Sequence, residues 1–321
     1  MTAPGFVPRF PWLGPDLQTL RNLLVRGRRT AAPGEPLELA LRDGSGDRLL
    51  AELDRPEGEP ARPTALLVHG LTGCCRSDYM LATSSCLRAS GHAVVRLNLR
   101  GSAPGRRLAQ GHYHAGRSAD LADAIAALPA ELTRAGLVAV GFSLGGNMLL
   151  KHLGEAGRQT PIRAAATVSA PLDLAACSAR LRAPRNLAYH HYLLRRMKAE
   201  ALAPGARVSA AERDAIRSAR DIRDYDDRFI APRHGFAGAA DYYASCSARS
   251  FLAAIAVPTL LVHALDDPWV PGATYESFDW RTNPRLRPLL SPRGGHLGFH
   301  GRGGSETWHD RAIAAFFAAG T

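Results

Sequence analysis

Apolar residues along this chain fall into short, nearly continuous runs separated by longer stretches of mixed character. Thr64–Val68, Ala93–Leu97, Leu137–Gly141, Ala164–Val168 and Thr259–His263 are dominated by Val, Leu and Ala. That pattern predicts strands buried on both faces. Leu37–Leu41 and Arg48–Leu53 read as half-buried strands, and Gly44-Ser45-Gly46 between them is a hairpin signal. Arg287–Leu290 predicts a last strand, and helical spacing begins near Ser77, Ser118, Leu144, Ala273 and Glu306. The alternation predicts an α/β fold, with a mostly parallel eight-stranded sheet and helices on both faces.

Two segments stand outside this rhythm. Residues 1–35 form an irregular N-terminal extension with a short helix expected around Asp16–Val25. Residues 171–250 are long, polar and helical, and strand–helix units flank them. They are expected to form a helical cap, or lid, over the C-terminal edge of the sheet, where open α/β sheets bind ligands. The core domain then comprises 36–170 and 251–321.

The densest chemical signal is Gly141-Phe142-Ser143-Leu144-Gly145, between a predicted strand and a predicted helix. Strand, G-x-S-x-G, helix is the nucleophile elbow: glycines two before and two after the serine remove Cβ atoms that would clash in so tight a turn. A lone G-x-S-x-G is a weak signal, and a serine hydroxyl needs a base oriented by a carboxylate. Both partners follow in the order Ser, Asp, His that an elbow of this type uses. Strand Thr259–His263 runs into Asp266-Asp267-Pro268, and strand Arg287–Leu290 runs into Gly294-Gly295-His296. Asp267 is preferred to Asp266 because Pro271 follows it by four, closing the turn, and Asp266 is expected to cap the loop. Leu144, after the serine, and Leu71, in His69-Gly70-Leu71-Thr72-Gly73, are the expected N–H donors of an oxyanion hole. His69 is expected to brace that loop.

Composition narrows the picture. The chain has 321 residues, 46% of them hydrophobic, and no apolar run long enough to cross a bilayer. Its first residues, broken by prolines, lack a secretory leader's apolar region, so a soluble cytoplasmic protein is expected. The five cysteines include no C-x-x-C, which argues against a disulfide framework or zinc ribbon. Cys74 and Cys75 lie beside the expected site, which suggests one of them for the pocket wall. His112 and His114 lack the companions a metal would need. A net charge of +11 raises the question of nucleic acid. The arginines are scattered, with a moderate excess in 171–250, and no recognition motif accompanies them. No nucleic-acid partner is expected, and the excess leaves room for anionic substrates or transient contact with a membrane surface, without stable insertion.

Taken with Leu17-Gln18-Thr19, Asn98-Leu99-Arg100-Gly101, Tyr113-His114, Tyr192-Leu193-Leu194, Asp226-Asp227, His234-Gly235-Phe236 and Asp241-Tyr242-Tyr243, these motifs give the chain a resemblance to the α/β-hydrolase superfamily, and within it to the YheT-like esterases (the AB hydrolase 4 family). The resemblance covers nearly the whole chain. It departs at Ala115, where relatives often carry serine. It implies Ser143, Asp267 and His296 as charge-relay residues and carboxylic ester hydrolysis, with acyl lipid esters among the expected substrates and no cofactor or metal. Tyr192, His234 and Phe236 in the cap are expected to bind substrate. Thioesterase or acyltransferase chemistry on the same triad, and a non-catalytic binding protein of the same fold, are the alternatives.

Overall fold

The computed structural model describes residues 5–25, 33–304 and 306–320. The opening residues 1–4, on which the leader reading partly rests, lie outside them, as do 26–32 of the extension. All eight expected strands form: β1 (Glu35–Ala40), β2 (Arg48–Asp54), β3 (Thr64–Val68), β4 (Val94–Leu97), β5 (Leu137–Phe142), β6 (Ile162–Val168), β7 (Thr259–Ala264) and β8 (Leu286–Ser291). They join one sheet in the order β1-β2-β4-β3-β5-β6-β7-β8. Only β2 runs against the rest, pairing antiparallel with β1 and β4. β1 begins two residues earlier than expected, because Glu35 still pairs with Leu53.

The period of two along the inner strands sorts their side chains onto two faces. Leu66 and Val68 of β3, Leu137 and Ala139 of β5, and Leu261 of β7 pack into one core. Ala65 and Leu67, Val138 and Val140, and Val262 pack into the other. On the expected helix starts stand α1 (Pro15–Leu24), α2 (Asp78–Ala89), α3 (Ser118–Ala126) and, after a short α4 (Ala130–Thr133), α5 (Leu144–Ala156). Leu121 and Ala124 of α3 and Met148–Leu150 of α5 cover the first face. Met80 and Leu87 of α2 cover the second.

Residues 171–250 carry α6 (Leu174–Arg182), α7 (Leu187–Ala201), α8 (Ala210–Ser218), α9 (Ile222–Tyr225), a π-helical turn over Asp226–Ile230, α10 (Ala231–Arg233) and α11 (Ala239–Cys246). On α7 the buried residues His190, Leu193, Leu194, Met197 and Ala201 repeat at three- and four-residue intervals, which turns one stripe inward. That stripe meets Ile216, Ile222, Tyr225, Phe229 and Tyr242 in a third core, against which Leu71 and Leu144 also pack. Asn147 of α5 ties this layer to the sheet. Its Oδ1 accepts from Ala248 N (2.8 Å) and its Nδ2 donates to Cys246 O (2.9 Å) and Ala115 O (3.0 Å). The chain closes with the single turn α12 (Ala273–Glu276) and with α13 (Trp308–Gly320), whose Ile313 and Phe317 complete the second core. α13 begins two residues after the expected Glu306. Among the described residues no helix is long and apolar enough to cross a membrane.

Candidate active site

Because β3, β5, β7 and β8 are parallel, the loops after them emerge at one edge of the sheet. After β5, Ser143 adopts φ 49° and ψ −122°, a conformation that residues with a Cβ avoid. Its N–H donates to Val168 O (2.9 Å) and its carbonyl accepts from Gly146 N (2.8 Å) and Asn147 N (3.1 Å), so the turn leads directly into α5. Space for this exists because of glycine. A Cβ on Gly141 would lie 2.6 Å from Gly145 O, and one on Gly145 would lie 2.5 Å from Val68 O and strike His69 O. Neither obstacle is a movable side chain. Gly145→Ala is therefore expected to lower stability by at least ~1–3 kcal/mol, as over-packing does, and to abolish activity. Thermal melts and ester turnover check this, and an active variant with an unchanged melting temperature would remove the reason given for the glycine.

His296 reaches the serine from the loop after β8. Its Nε2 lies 3.0 Å from Ser143 Oγ and its Nδ1 lies 2.8 Å from Asp267 Oδ2. Facing a carboxylate, Nδ1 carries the proton, and Nε2 is left as the acceptor toward the hydroxyl. The other carboxylate oxygen, Asp267 Oδ1, accepts from Trp269 N (2.8 Å) and Val270 N (3.0 Å). Asp267 is only 1% exposed. Burial pushes its carboxyl upward, but the charge and hydrogen bond of His296, with His263 and the Val270 N–H, outweigh that and hold it below the usual carboxylate range. Asp266 turns elsewhere: its Oδ1 accepts from Gly295 N (2.9 Å), and burial raises its carboxyl.

Two supports of His296 were given no role in the sequence reading. The Trp269 ring stacks on the imidazole with centroids 4.3 Å apart. Helix α1 buttresses the loop, with Thr19 Oγ1 accepting from His296 N (2.9 Å) and Gln18 Oε1 from His300 N (2.8 Å). The N-terminal segment is thus part of the site's frame. Its Leu17-Gln18-Thr19 motif marks the position but not the role.

Of the N–H groups of residues 70–73, three have acceptors among the described residues and one does not. Gly70 N donates to Tyr79 Oη (3.0 Å), Thr72 N to Tyr113 Oη (2.7 Å) and Gly73 N to Gly70 O (3.0 Å). Leu71 N and Leu144 N have no acceptor among the described residues. His69 accepts Leu99 N at Nε2 (3.0 Å) and donates from Nδ1 to Gly70 O (2.8 Å), which pins the loop; its burial lowers the imidazole to about 4.

These groups open on a cavity of about 510 Å³ beneath α6, α7 and α9. Ser143, Leu144, Leu71 and His296 line it, as do Leu174, Leu181, Leu193 and Ile222. Tyr192 is on its wall, whereas His234 and Phe236 are not among the residues that line it. They pack behind the lining residue His114, with ring centroids at 4.3 and 5.7 Å. Neither Cys74 nor Cys75 reaches the wall, correcting the expectation from their sequence position. Cys75 is fully buried, its N–H donating to Asn98 Oδ1 (2.9 Å) and its thiol pushed up to about 12 by burial, and the lining cysteine is Cys177. His112 Nε2 is bonded to Ala201 O (3.0 Å) and His114 Nδ1 accepts from Gly116 N (3.1 Å). Among the described residues no group of three or more His, Cys, Asp and Glu could hold a metal ion. Two carboxyls on the wall were given no role in the sequence reading, Glu200 and the Asp226 of the Asp226-Asp227 motif, each raised to about 7, chiefly by burial.

The sheet order, the elbow and the cavity define an α/β hydrolase, and comparison with known proteins agrees. The alpha/beta hydrolase fold family matches residues 63–302. The chain is 34% identical over 301 residues to YheT of Escherichia coli (strain K12), covering 92% of this chain and 87% of that protein. It is 32% identical over 240 residues to the phospholipase ABHD3 of Homo sapiens, covering 74% of this chain but 59% of that longer protein. Among solved structures, a 2,6-dihydroxy-pseudo-oxynicotine hydrolase superposes with a TM-score of 0.60 at 18% identity, over 95% of this chain and 71% of that one. The Pyrococcus furiosus esterase Pf2001 does so with a TM-score of 0.60 at 15% identity, over 98% of both chains. At such identities the likeness is one of fold. The chain belongs to the alpha/beta hydrolase family, among its YheT-like esterases.

Proposed function

We propose that this carboxylic ester hydrolase works by covalent catalysis, with Ser143 as nucleophile, His296 as general base and acid, and Asp267 as the group that orients and stabilises the imidazolium. The observation that carries the reading is the unbroken chain Asp267–His296–Ser143, at 2.8 and 3.0 Å, ending in a cavity beside two N–H groups that have no acceptor among the described residues. Ser143 Oγ attacks the ester carbonyl as its proton passes to His296 Nε2. Negative charge on the former carbonyl oxygen is met by Leu71 N–H and Leu144 N–H. Collapse expels the alcohol, which takes the proton from His296, and leaves an acyl-enzyme. Water, activated by the neutral His296, then releases the acid and restores the serine. The apolar wall suits an acyl chain. In this reading residues 171–250 form a lid that selects it, 36–170 with 251–321 supply the chemistry, and the extension 1–35 braces the histidine. The relatives' phospholipase and monoacylglycerol lipase names favour acyl lipid esters as the substrate class.

A fluorophosphonate probe should label the wild type but not Ser143→Ala, and p-nitrophenyl esters should turn over faster than matched thioesters or amides. Preference for the thioester would move the assignment to a thioesterase on the same triad, and failure to label would remove the nucleophile. For the lid, Tyr192→Ala and Leu181→Trp should change the long-to-short acyl ratio of kcat/KM by about tenfold, because one methylene-sized change in an apolar pocket is worth ~1–3 kcal/mol. Phe236→Ala, one layer behind the wall, should change it less. Identical ratios across all three variants would show that the lid does not select the chain.

A further inference from the structure

The expected oxyanion loop and helix α7 meet at Thr72. This residue has φ 55°, in the left-handed region that a β-branched residue rarely occupies. It is the third residue of a turn closed by Gly73 N donating to Gly70 O, a place where positive φ ordinarily selects glycine or asparagine. Both backbone polar groups of Thr72 are held from α7. Arg196 Nη2 donates to Thr72 O at 2.6 Å. Tyr113 Oη accepts from Thr72 N at 2.7 Å and donates its one proton to Glu200 Oε2 at 2.8 Å. Arg196 and Glu200 are four apart, one turn along the same helix, so a single face of α7 grips Thr72 from both sides. Arg196 is itself fixed by Tyr192 Oη, at 3.0 Å.

The direction of the Leu71 N–H depends on this grip. That N–H shares a peptide plane with Gly70 O, and Gly70 O is fixed by the turn's closing bond together with His69 Nδ1 (2.8 Å). If Thr72 relaxed to negative φ, the turn would open and Gly70 O would keep only its bond from His69 Nδ1, a single pivot about which the Gly70–Leu71 plane could tilt. We infer that Arg196, Glu200 and Tyr113 are positioning residues for the ester hydrolysis: by holding Thr72 they aim Leu71 N–H at the oxyanion, so α7 belongs to the catalytic apparatus as well as to the cover. This rests on the reading of Leu71 as an oxyanion donor.

The test compares kcat, KM and inhibition by an alkyl trifluoromethyl ketone, whose adduct with Ser143 places an oxyanion where the tetrahedral intermediate has one. Arg196 is exposed and Tyr113→Phe removes only a hydroxyl, so both variants should fold. Loss of an entire oxyanion donor costs about 10²–10³ in kcat, so Tyr113→Phe and Arg196→Met, which only release it, should lose about tenfold or more, with KM within about twofold and ketone affinity falling in step. Conservative changes should rescue. Arg196→Lys can still donate to one carbonyl, and Glu200→Gln still offers Tyr113 an acceptor, whereas Glu200→Leu does not. Thr72→Gly in the Arg196→Met background should recover kcat, because glycine takes positive φ without help. If Tyr113→Phe and Arg196→Met raise KM and leave kcat and ketone affinity untouched, these residues bind substrate and the inference is overturned. A wild type that the ketone does not inhibit, or an active Ser143→Ala, would instead overturn the underlying nucleophile and oxyanion reading.

Discussion

Ser143→Ala is expected to reduce ester turnover by about 10⁵–10⁶-fold, the scale on which removal of a triad nucleophile acts elsewhere. The alanine keeps the elbow's backbone and loses one hydroxyl, whose hydrogen bond goes to His296 Nε2 (3.0 Å). Ser143 is partly exposed, and its N–H and C=O bonds to Val168, Gly146 and Asn147 do not involve the side chain. The melting temperature should therefore stay within ~3 °C of wild type, since a single exposed hydroxyl is a small term in folding. Ser143→Gly adds a control. It should be equally inactive but more stable than the alanine variant by ~0.5–1 kcal/mol, because φ 49° costs glycine little. Turnover of a p-nitrophenyl ester, fluorophosphonate labelling and thermal melts together decide the matter. Alanine turnover within about tenfold of wild type would transfer the nucleophile to another group.

The fold was legible because the inner strands are buried on both sides and therefore apolar with few interruptions, such as Arg96 and His263, while Gly44 and Gly46, both at positive φ, mark the hairpin. Strand ends were less so. β6 begins at Ile162 rather than Ala164 because Leu137 pairs with Ile162 across a register shift, which periodicity does not show. The three residues proposed for the triad were legible as well, since each follows its own strand and a parallel sheet delivers such loops to one edge. The second layer was not. Trp269 over His296, Thr19 beneath its N–H, and Arg196 on Thr72 join residues 27, 277 and 124 positions apart. No local pattern encodes such pairings, which depend on where two separately folded elements dock. His234 and Phe236 illustrate the same limit from the other side: their aromatic character suggests a pocket wall, but the packing of α11 and the preceding turn uses it to back His114.

Asp267→Asn should lower kcat by about 10⁴-fold, whereas Asp266→Asn should cost less than about tenfold. The difference follows from what each oxygen does. Asp267 Oδ1 already accepts two backbone N–H groups, from Trp269 and Val270. An asparagine must keep its single oxygen there, because its amide nitrogen would otherwise face those two donors. The NH₂ is then turned toward His296 Nδ1, where Oδ2 now accepts at 2.8 Å. A donor at that place forces the imidazole proton onto Nε2, and the nitrogen facing Ser143 Oγ can no longer take the serine's proton. The imidazolium formed during attack also loses its adjacent negative charge. Asp266 has no such constraint. Its Oδ1 accepts one N–H, from Gly295 (2.9 Å), and an asparagine oxygen can replace it without disturbing the ring. The Gly294–His296 backbone should hold, so any loss would be one of fine placement. Steady-state kinetics of the two variants at neutral pH, with melts to show that both are folded, make the comparison. If Asp266→Asn proves inactive and Asp267→Asn keeps substantial turnover, the orienting carboxylate is Asp266, and the contacts of Asp267 with Trp269 and Val270 serve only to close the loop.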